Sequence, residues 1–499
     1  MSESTNDTER DDDGLISEDI LGLEVFKQKS VGIDIGSSTS HLIFSELTLR
    51  REGFSSRFRV TDRQVLFQSP ILLTPYVAGT LIDAEALQTF IEEAYKLAGV
   101  EPDDIDSGAI VVTGEALKKE NAQPIAEMFS KHVGKFICVS AGPNHEALLA
   151  AYGSGAAAFS EDNGWRLLNV DVGGGTTKFT LIDKGKVLET AAIEVGARLI
   201  AFDEAGAITR IEGPARMILG EGGADLALGA QATPALQETL SERMMDCLFD
   251  LILKRPPSAL TESLMLTPML DSHVGLEGID RVVFSGGVSE YVYGRDQVAY
   301  GDLGPLLGQG LRKRFDDQSL AHLIASSPSG IRATVIGAGE YTIQASGNTS
   351  FLSNKDHLPA YALKVVKVEP GAGESFQEAT RRALRKFDLT AYGNGLALAI
   401  TLDDVINYPY LRSKAEEIAA VVEGAASDLA ALFLVVDKDV AKTLGSLLKE
   451  ELGMRQDVIA IDSIDLGDLD YVDIGRPMGE TEVLPVTVKS LVFPTKLDG

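Results

Sequence analysis

From Val31 onward, short apolar runs alternate with stretches whose apolar positions recur every three to four residues, the pattern of strands and helices taking turns. VGIDI (31–35), HLIFSEL (41–47), AIVVTG (109–114), FICVS (136–140), LLNVDV (167–172), KFTLID (178–183), VVFSGG (282–287) and ATVIGAG (333–339) read as strands. Helical spacing predicts helices over Ala84–Ala98 and Asn144–Phe159. Some strands are joined by tight hairpins and others by helices, so the expectation is an α/β fold with mixed sheets.

The most informative pattern is internal. VGIDIGSSTSHLIF (31–44) and LNVDVGGGTTKFTLI (168–182) are one device written twice. In each, an apolar strand ends in Asp and one apolar residue, a Gly-led turn of Ser, Thr or Gly follows, and a second apolar strand leaves. Asp34 superposes on Asp171, Gly36 on Gly173 and Thr39 on Thr176. Two related domains with both turns aimed into a shared cleft is the natural inference. Past about Asn348 the pattern restarts. A basic amphipathic stretch (Ser375–Phe387) leads to LALAITL, a helix near Leu411–Leu429, the strand ALFLVV, a helix near Val440–Leu452, the strand VIAI and a hairpin-like end, VLPVTVKSLVFP. The chain therefore divides into an acidic tail (1–26), two related units (27–165 and 166–347) and a smaller C-terminal α/β unit (348–499).

Composition narrows the options. Hydrophobic residues make up 44% of 499, enough for a core in each unit. Acidic residues outnumber basic ones 74 to 45, giving a net charge of −29. Such a field repels a nucleic-acid backbone, so an anionic ligand would be held by backbone N–H groups and a metal rather than a basic patch. The first twenty residues carry eight acidic side chains and one basic one, and are expected to be solvated and disordered. The two cysteines, Cys138 and Cys247, form no C-x-x-C, which argues against an iron–sulfur or thiolate zinc site and for a reducing setting. With no secretory leader or membrane-length apolar run, the expected location is cytoplasmic.

The repeated turn has a definite chemistry. Gly36 and Gly173–Gly174–Gly175 let the backbone approach a ligand closely, and successive N–H groups there form a nest for phosphate oxygens. Ser37, Ser38, Thr39, Thr176 and Thr177 add hydroxyl donors. Asp34 and Asp171 would be repelled by phosphate, so their sensible role is to hold Mg²⁺ through its water shell. A third element, RVVFSGGVSEYV (281–292), is a strand ending in Ser285–Gly286–Gly287, where a base and ribose could lie against the backbone with Glu290 reaching a hydroxyl.

These three pieces, in this order over about residues 30–345, resemble the nucleotide site of the actin, hexokinase and heat-shock-chaperone superfamily. The resemblance implies two actin-like (ribonuclease H-like) ATPase lobes around a cleft that binds ATP, with hydrolysis coupled to lobe closure. It also implies a helix before the second loop that supplies a residue to position the attacking water. The segment SAGPNHEALLAAYGSGAAA (140–158) matches that helix and makes Glu146 the candidate, with Asn144 and His145 as neighbours able to serve instead.

A narrower resemblance runs through almost the whole chain. VVTGEALKKENAQP (111–124), SAGPNHE (140–146), GDLGPLL (301–307), IRATVIGAGEYTIQASGNTSFL (331–352) and DYVDIGRPMG (470–479) resemble the ethanolamine ammonia-lyase reactivating factor family. That resemblance implies a molecular chaperone which, with ATP and Mg²⁺, releases damaged cobalamin from ethanolamine ammonia-lyase so that intact adenosylcobalamin can replace it. Self-association and attachment to a bacterial microcompartment are left open by the residues. So is contact with cobalamin, because Asp271–Gly275 departs by one position from a D-x-H-x-x-G cobalamin signature. A metabolite kinase of the same superfamily would need a catalytic base beside an acceptor pocket, and none is assignable. A non-catalytic actin-like nucleotide-binding protein is the third reading.

Overall fold

A computed structural model of the chain describes residues 17–18, 24–36, 39–51, 58–70, 72–77, 81–113, 136–223, 226–272, 275–325, 340–345, 350–371, 373–403, 405–424, 428–462, 464, 466–467, 469–477 and 484–490. The acidic tail, apart from Ser17–Glu18 and the strand start at residues 24–26, and the run ATVIGAG lie outside the described residues.

The written repeat is a folded repeat. In the first sheet, β1 (Glu24–Ile35) and β2 (Thr39–Arg51) form the predicted hairpin, β3 (Phe58–Gln68) adds beyond β2, and β4 (Ser107–Thr113) and β5 (Phe136–Ala141) follow in parallel on the far side of β1, giving the order β3-β2-β1-β4-β5. In the second sheet, β6 (Arg166–Val172), β7 (Thr177–Asp183), β8 (Lys186–Ile193), β9 (Arg281–Ser285) and β10 (Ile324–Ala325) take the same order, β8-β7-β6-β9-β10, with the same directions. This is the arrangement expected of two actin-like lobes. Asp34 and Asp171 are each the last residue but one of their sheet's central strand.

Local chemistry explains the elements. Val31, Ile33 and Ile35 alternate into the same buried layer as Leu42 and Phe44, and α1 (Ala84–Ala98) covers it with Leu87, Ile91 and Ala94. Asp83 caps α1 by accepting from the Ala86 amide at 3.0 Å, and Gly99 ends it in the left-handed region. The single helix expected over Asn144–Phe159 is two, α2 (Pro143–Gly153) and α3 (Ala156–Asn163), because Gly155 turns the chain at φ 77°. The far face of the second sheet is packed by α4 (Pro234–Ile252) and α5 (Gly304–Asp317).

The C-terminal unit is built on an eight-stranded sheet. Its strands are β11 (Glu340–Ala345), β12 (Phe351–Leu352), β13 (Ala360–Val368), β14 (Leu396–Ile400), β15 (Ala431–Val436), β16 (Asp457–Asp462), β17 (Asp470–Ile474) and β18 (Pro485–Ser490), ordered β11-β18-β17-β13-β14-β15-β16-β12. β11 falls before the boundary expected at residue 347, yet it pairs with β18 of this sheet. The basic amphipathic stretch is α6 (Phe376–Arg385), started by a Ser375–Glu378 capping box.

This unit shares a core with the rest of the molecule. Leu148, Leu149 and Ala151 of α2 and Ala156 of α3 belong to one buried cluster with Val366, Phe387 and Leu398. The sequence places α2 and α3 in the first unit. In the structure they lie between the second sheet and the C-terminal one, so α2 touches both the cleft and the third unit.

Candidate functional site

Four charged side chains from four elements meet where the two hairpins face each other. Asp34 comes from β1, Asp171 and its cross-strand partner Lys178 from β6 and β7, and Glu146 from the first turn of α2. Lys178 Nζ donates to Glu146 Oε1, and the pair is almost dry, with side chains 4% and 13% exposed. Thr180, two residues on along β7, donates to the Ala147 carbonyl at 3.1 Å, so the same strand fixes the helix beside its own lysine.

Three carboxylates around one ammonium leave the site short of positive charge. Burial pushes the Asp34 carboxyl up to about 8; the Glu146 and Asp171 charges push the same way and Lys178 opposes them. Burial likewise raises Glu146, with Asp171 and Asp388 adding to the effect against Lys178. Among the described residues, Asp34 Oδ1 is buried without a hydrogen-bond partner. An orphaned carboxylate oxygen in an acidic pocket fits a divalent cation. Among the described residues no cluster of three or more His, Cys, Asp or Glu is arranged to hold a metal ion, so such a cation would keep water or ligand oxygens for most of its shell.

The second turn is held from behind. Gly173 N–H donates to the Thr176 carbonyl at 3.0 Å, closing the turn. The Gly173 and Gly174 carbonyls accept from the amides of Ala197 and Arg198 at 3.0 and 2.5 Å. A Cβ at Gly196 would stand 2.5 Å from the Gly174 oxygen, so only glycine lets this strap approach. Arg198 anchors the strap through Asp302 at 2.8 Å and the Tyr300 carbonyl at 2.9 Å. With the carbonyls so committed, the amides of Gly174 and Gly175 donate to nothing among the described residues. That is a backbone nest for an anion.

The remaining predicted residues take various places. Thr176 is buried in the turn, and the Thr177 hydroxyl donates to the Val195 carbonyl at 2.7 Å, on the strap side. The Gly36 carbonyl accepts from Thr74 at 2.7 Å; Ser37, Ser38 and the Thr39 side chain lie outside the described residues. Ser285 is fully buried and donates to Asp171 Oδ1 at 2.8 Å, orienting that carboxylate. Gly286 turns at φ 78° against Val172, Gly287 follows it, and Glu290 stands 3.8 Å from Arg295 in a four-residue helical turn. Asn144 receives Thr190 on its carbonyl oxygen at 2.7 Å and donates to Asp388 at 3.0 Å, while His145 is buried against Phe387. Both neighbours of Glu146 are thus engaged away from the hairpins.

Sequence reasoning missed Lys178, Gly196, the Arg198–Asp302 anchor and Asp388. Lys178 had a signal. It is a charged residue directly cross-strand from Asp171, at the repeat position where the first copy has His41 opposite Asp34.

The family model described as "Ethanolamine utilisation protein EutA" matches residues 27–494. The chain is 36% identical over 477 residues to the ethanolamine ammonia-lyase reactivase EutA of Salmonella typhimurium LT2, covering 93% of this chain and 98% of that protein. It is also 36% identical over 478 residues to the protein of the same name from Escherichia coli K12, with the same coverage. Among solved structures it is similar to MreB5 of Spiroplasma citri bound to ADP, 13% identical with a TM-score of 0.31 over 62% of this chain and 94% of that one. The ethanolamine utilization protein EutJ from Carboxydothermus hydrogenoformans is 12% identical, with a TM-score of 0.30 over 62% of this chain and 88% of that one.

Proposed function

The chain belongs to the EutA family of ethanolamine utilisation proteins, and from that premise we propose that it is an ATP-dependent reactivating chaperone for ethanolamine ammonia-lyase. It releases damaged cobalamin from the lyase so that intact adenosylcobalamin can rebind. The observation that carries the ATP reading is the pair of amides at Gly174 and Gly175, unpaired among the described residues, beside three carboxylates and one lysine. Donors for phosphate and acceptors for a cation stand side by side.

Asp34 and Asp171 would hold Mg²⁺, which when bound supplies positive charge to the phosphates and to the two buried carboxylates. The two turns, from Gly36 to Thr39 and from Gly173 to Thr177, bind phosphate, and Ser285–Gly287 with Glu290 line the nucleoside end. Ser285 fixes the rotamer of Asp171. Glu146 keeps Oε2 outside its ion pair, where it can accept a proton from a water. Burial makes that carboxylate a stronger base than a solvated glutamate, and Lys178 opposes that rise. ATP shifts the balance between lobe arrangements only by its differential affinity for them, so closure and release follow from contacts made by both hairpins at once.

The test is rescue. Lyase blocked with cyanocobalamin is mixed with the protein, Mg·ATP and adenosylcobalamin, and deamination is followed. Regained deamination that is lost in Asp34→Ala and Asp171→Ala supports the reading. Absence of rescue with phosphorylation of a small acceptor turns it towards a kinase, and absence of Mg·ATP binding removes it.

A further inference from the structure

The helix that carries Glu146 has no cap of its own. Its N-cap residue is Gly142, followed by Pro143, and no local side chain accepts from the first turn. The acceptor comes instead from the C-terminal unit. Asp388 Oδ1 takes the Asn144 amide at 3.1 Å and the Asn144 side-chain N–H at 3.0 Å, and Oδ2 takes the His145 amide at 3.2 Å. Gly142 exists for this contact, because a Cβ there would lie 2.4 Å from Asp388 Oδ2.

The clasp is costly to build. Asp388 sits in the left-handed region at φ 59°, where a residue with a side chain is strained. Burial pushes its carboxyl up, against the hydrogen bonds from Asn144 and His145 and the charge of Lys364. Phe387 seals it by meeting the His145 ring edge-on at 5.2 Å, and Lys364 of β13 lies 5.2 Å over the other ring. A strained, buried carboxylate that reaches across a unit boundary to hold one turn of helix needs an explanation beyond stability. The residue that follows His145 supplies it.

We propose that Asp388 is a positioning residue for the nucleotide site. It locks the first turn of α2, and so sets where Glu146 stands against Lys178 and the cleft; a shift of the C-terminal unit is thereby transmitted to ATP turnover. The clasp lies at the corner between α6 and β14, so the element that moves Asp388 is the C-terminal sheet and not either hairpin. This inference rests on the ATPase reading of the same site.

Three variants test it: Asp388→Ala, Asp388→Asn and Gly142→Ala, which leaves the aspartate in place but pushes it off the helix. Asp388→Ala is expected to lower kcat for ATP hydrolysis on the order of tenfold or more, with KM for Mg·ATP within about twofold. Asp388→Asn, which keeps an acceptor oxygen, restores part of kcat, and Gly142→Ala reproduces the loss. In a Glu146→Gln background Asp388→Ala adds little, because both act through one carboxylate. Amide exchange over residues 143–150, measured without nucleotide, rises about fivefold or more in Asp388→Ala. Unchanged kcat in both Asp388→Ala and Gly142→Ala overturns the inference, as does equal loss in kcat and in KM-limited binding. A wild type that fails to bind Mg·ATP defeats the ATPase reading instead, and unchanged exchange in Asp388→Ala defeats the clasp by itself.

Discussion

Replacing Lys178 by methionine removes the ammonium that faces three carboxylates while keeping most of the side-chain volume. Breaking a buried ion pair from one side costs about 3–5 kcal/mol, because the remaining charge has lost its partner in a dry place. Glu146 can escape that penalty by taking a proton, which sets a ceiling. The ceiling is about 1.36 kcal/mol for each pH unit above its ordinary value of 4.5, hence about 3.4 kcal/mol at pH 7 and about 1.4 kcal/mol at pH 5.5. Any rise the wild type already carries is subtracted from both. The sign follows from linkage. A carboxyl raised in the folded state holds a proton that the unfolded chain has released, so the destabilisation grows as pH climbs from the unfolded value and fades below it. Lys178→Met should therefore hurt more at pH 8 than at pH 5.5.

The assay is built into the chain. Trp165, the only tryptophan, stands at the entry to β6 against Phe159 and Arg281, so its fluorescence in urea reports the lobe that contains Lys178. Adding Glu146→Gln to Lys178→Met should recover most of the loss, since it removes the stranded charge. Glu146→Gln alone should cost less than Lys178→Met alone, because Lys178 still has its cross-strand partner Asp171 to answer it. A loss that does not depend on pH, or equal costs for the two single variants, would refute the view that this site is short of positive charge.

Three further outcomes are expected. Gly196→Ala forces a methyl against the Gly174 carbonyl, and the phosphate turn must move; Mg·ATP affinity should fall at least tenfold while stability drops by about 1–3 kcal/mol, as read by calorimetry and by urea melts. Because Asp34 is pushed up to about 8, it holds its proton at pH 7 until a cation displaces it; titration calorimetry in buffers of different ionisation enthalpy should detect proton release on Mg·ATP binding at pH 7, absent in Asp34→Asn, with affinity rising as pH rises towards 8. Burial holds His145 neutral well below its ordinary 6.5, so its contribution is intact above pH 6.5 and is lost as pH falls, at up to about 1.4 kcal/mol per unit; His145→Gln should flatten the acid limb of a stability-against-pH curve, and an unchanged limb would contradict the assignment.

The two related lobes were legible because a hairpin needs a local code. An alternating strand, a terminal aspartate and a glycine-led turn are all written within fourteen residues, so the copies at 31–44 and 168–182 could be matched by eye. The folded sheets repeat that match strand for strand. The single helix expected across 144–159 was misread because its apolar spacing runs through Gly155 without interruption, and only the sign of φ breaks it. Lys178, Gly196, Arg198 and Asp388 were not read as site residues for a different reason. Each acts through a partner between about twenty and two hundred and fifty positions away, and periodicity carries no information at that range.

That distinction has a consequence for how this protein is organised. The groups proposed to touch nucleotide and cation are local in sequence, whereas the groups that place them are distant, and one of them comes from another unit. Ser285 orients Asp171 from β9, Gly196 braces the Gly173–Thr177 turn from beyond β8, and Asp388 holds the first turn of the Glu146 helix from the corner between α6 and β14. A chaperone that must couple ATP to work on another protein needs such an arrangement, because coupling requires that a residue far from the nucleotide change its energy when the two states exchange. The first hairpin is held by Thr74 of its own unit, whereas the C-terminal unit reaches α2 directly through Asp388 and a shared core.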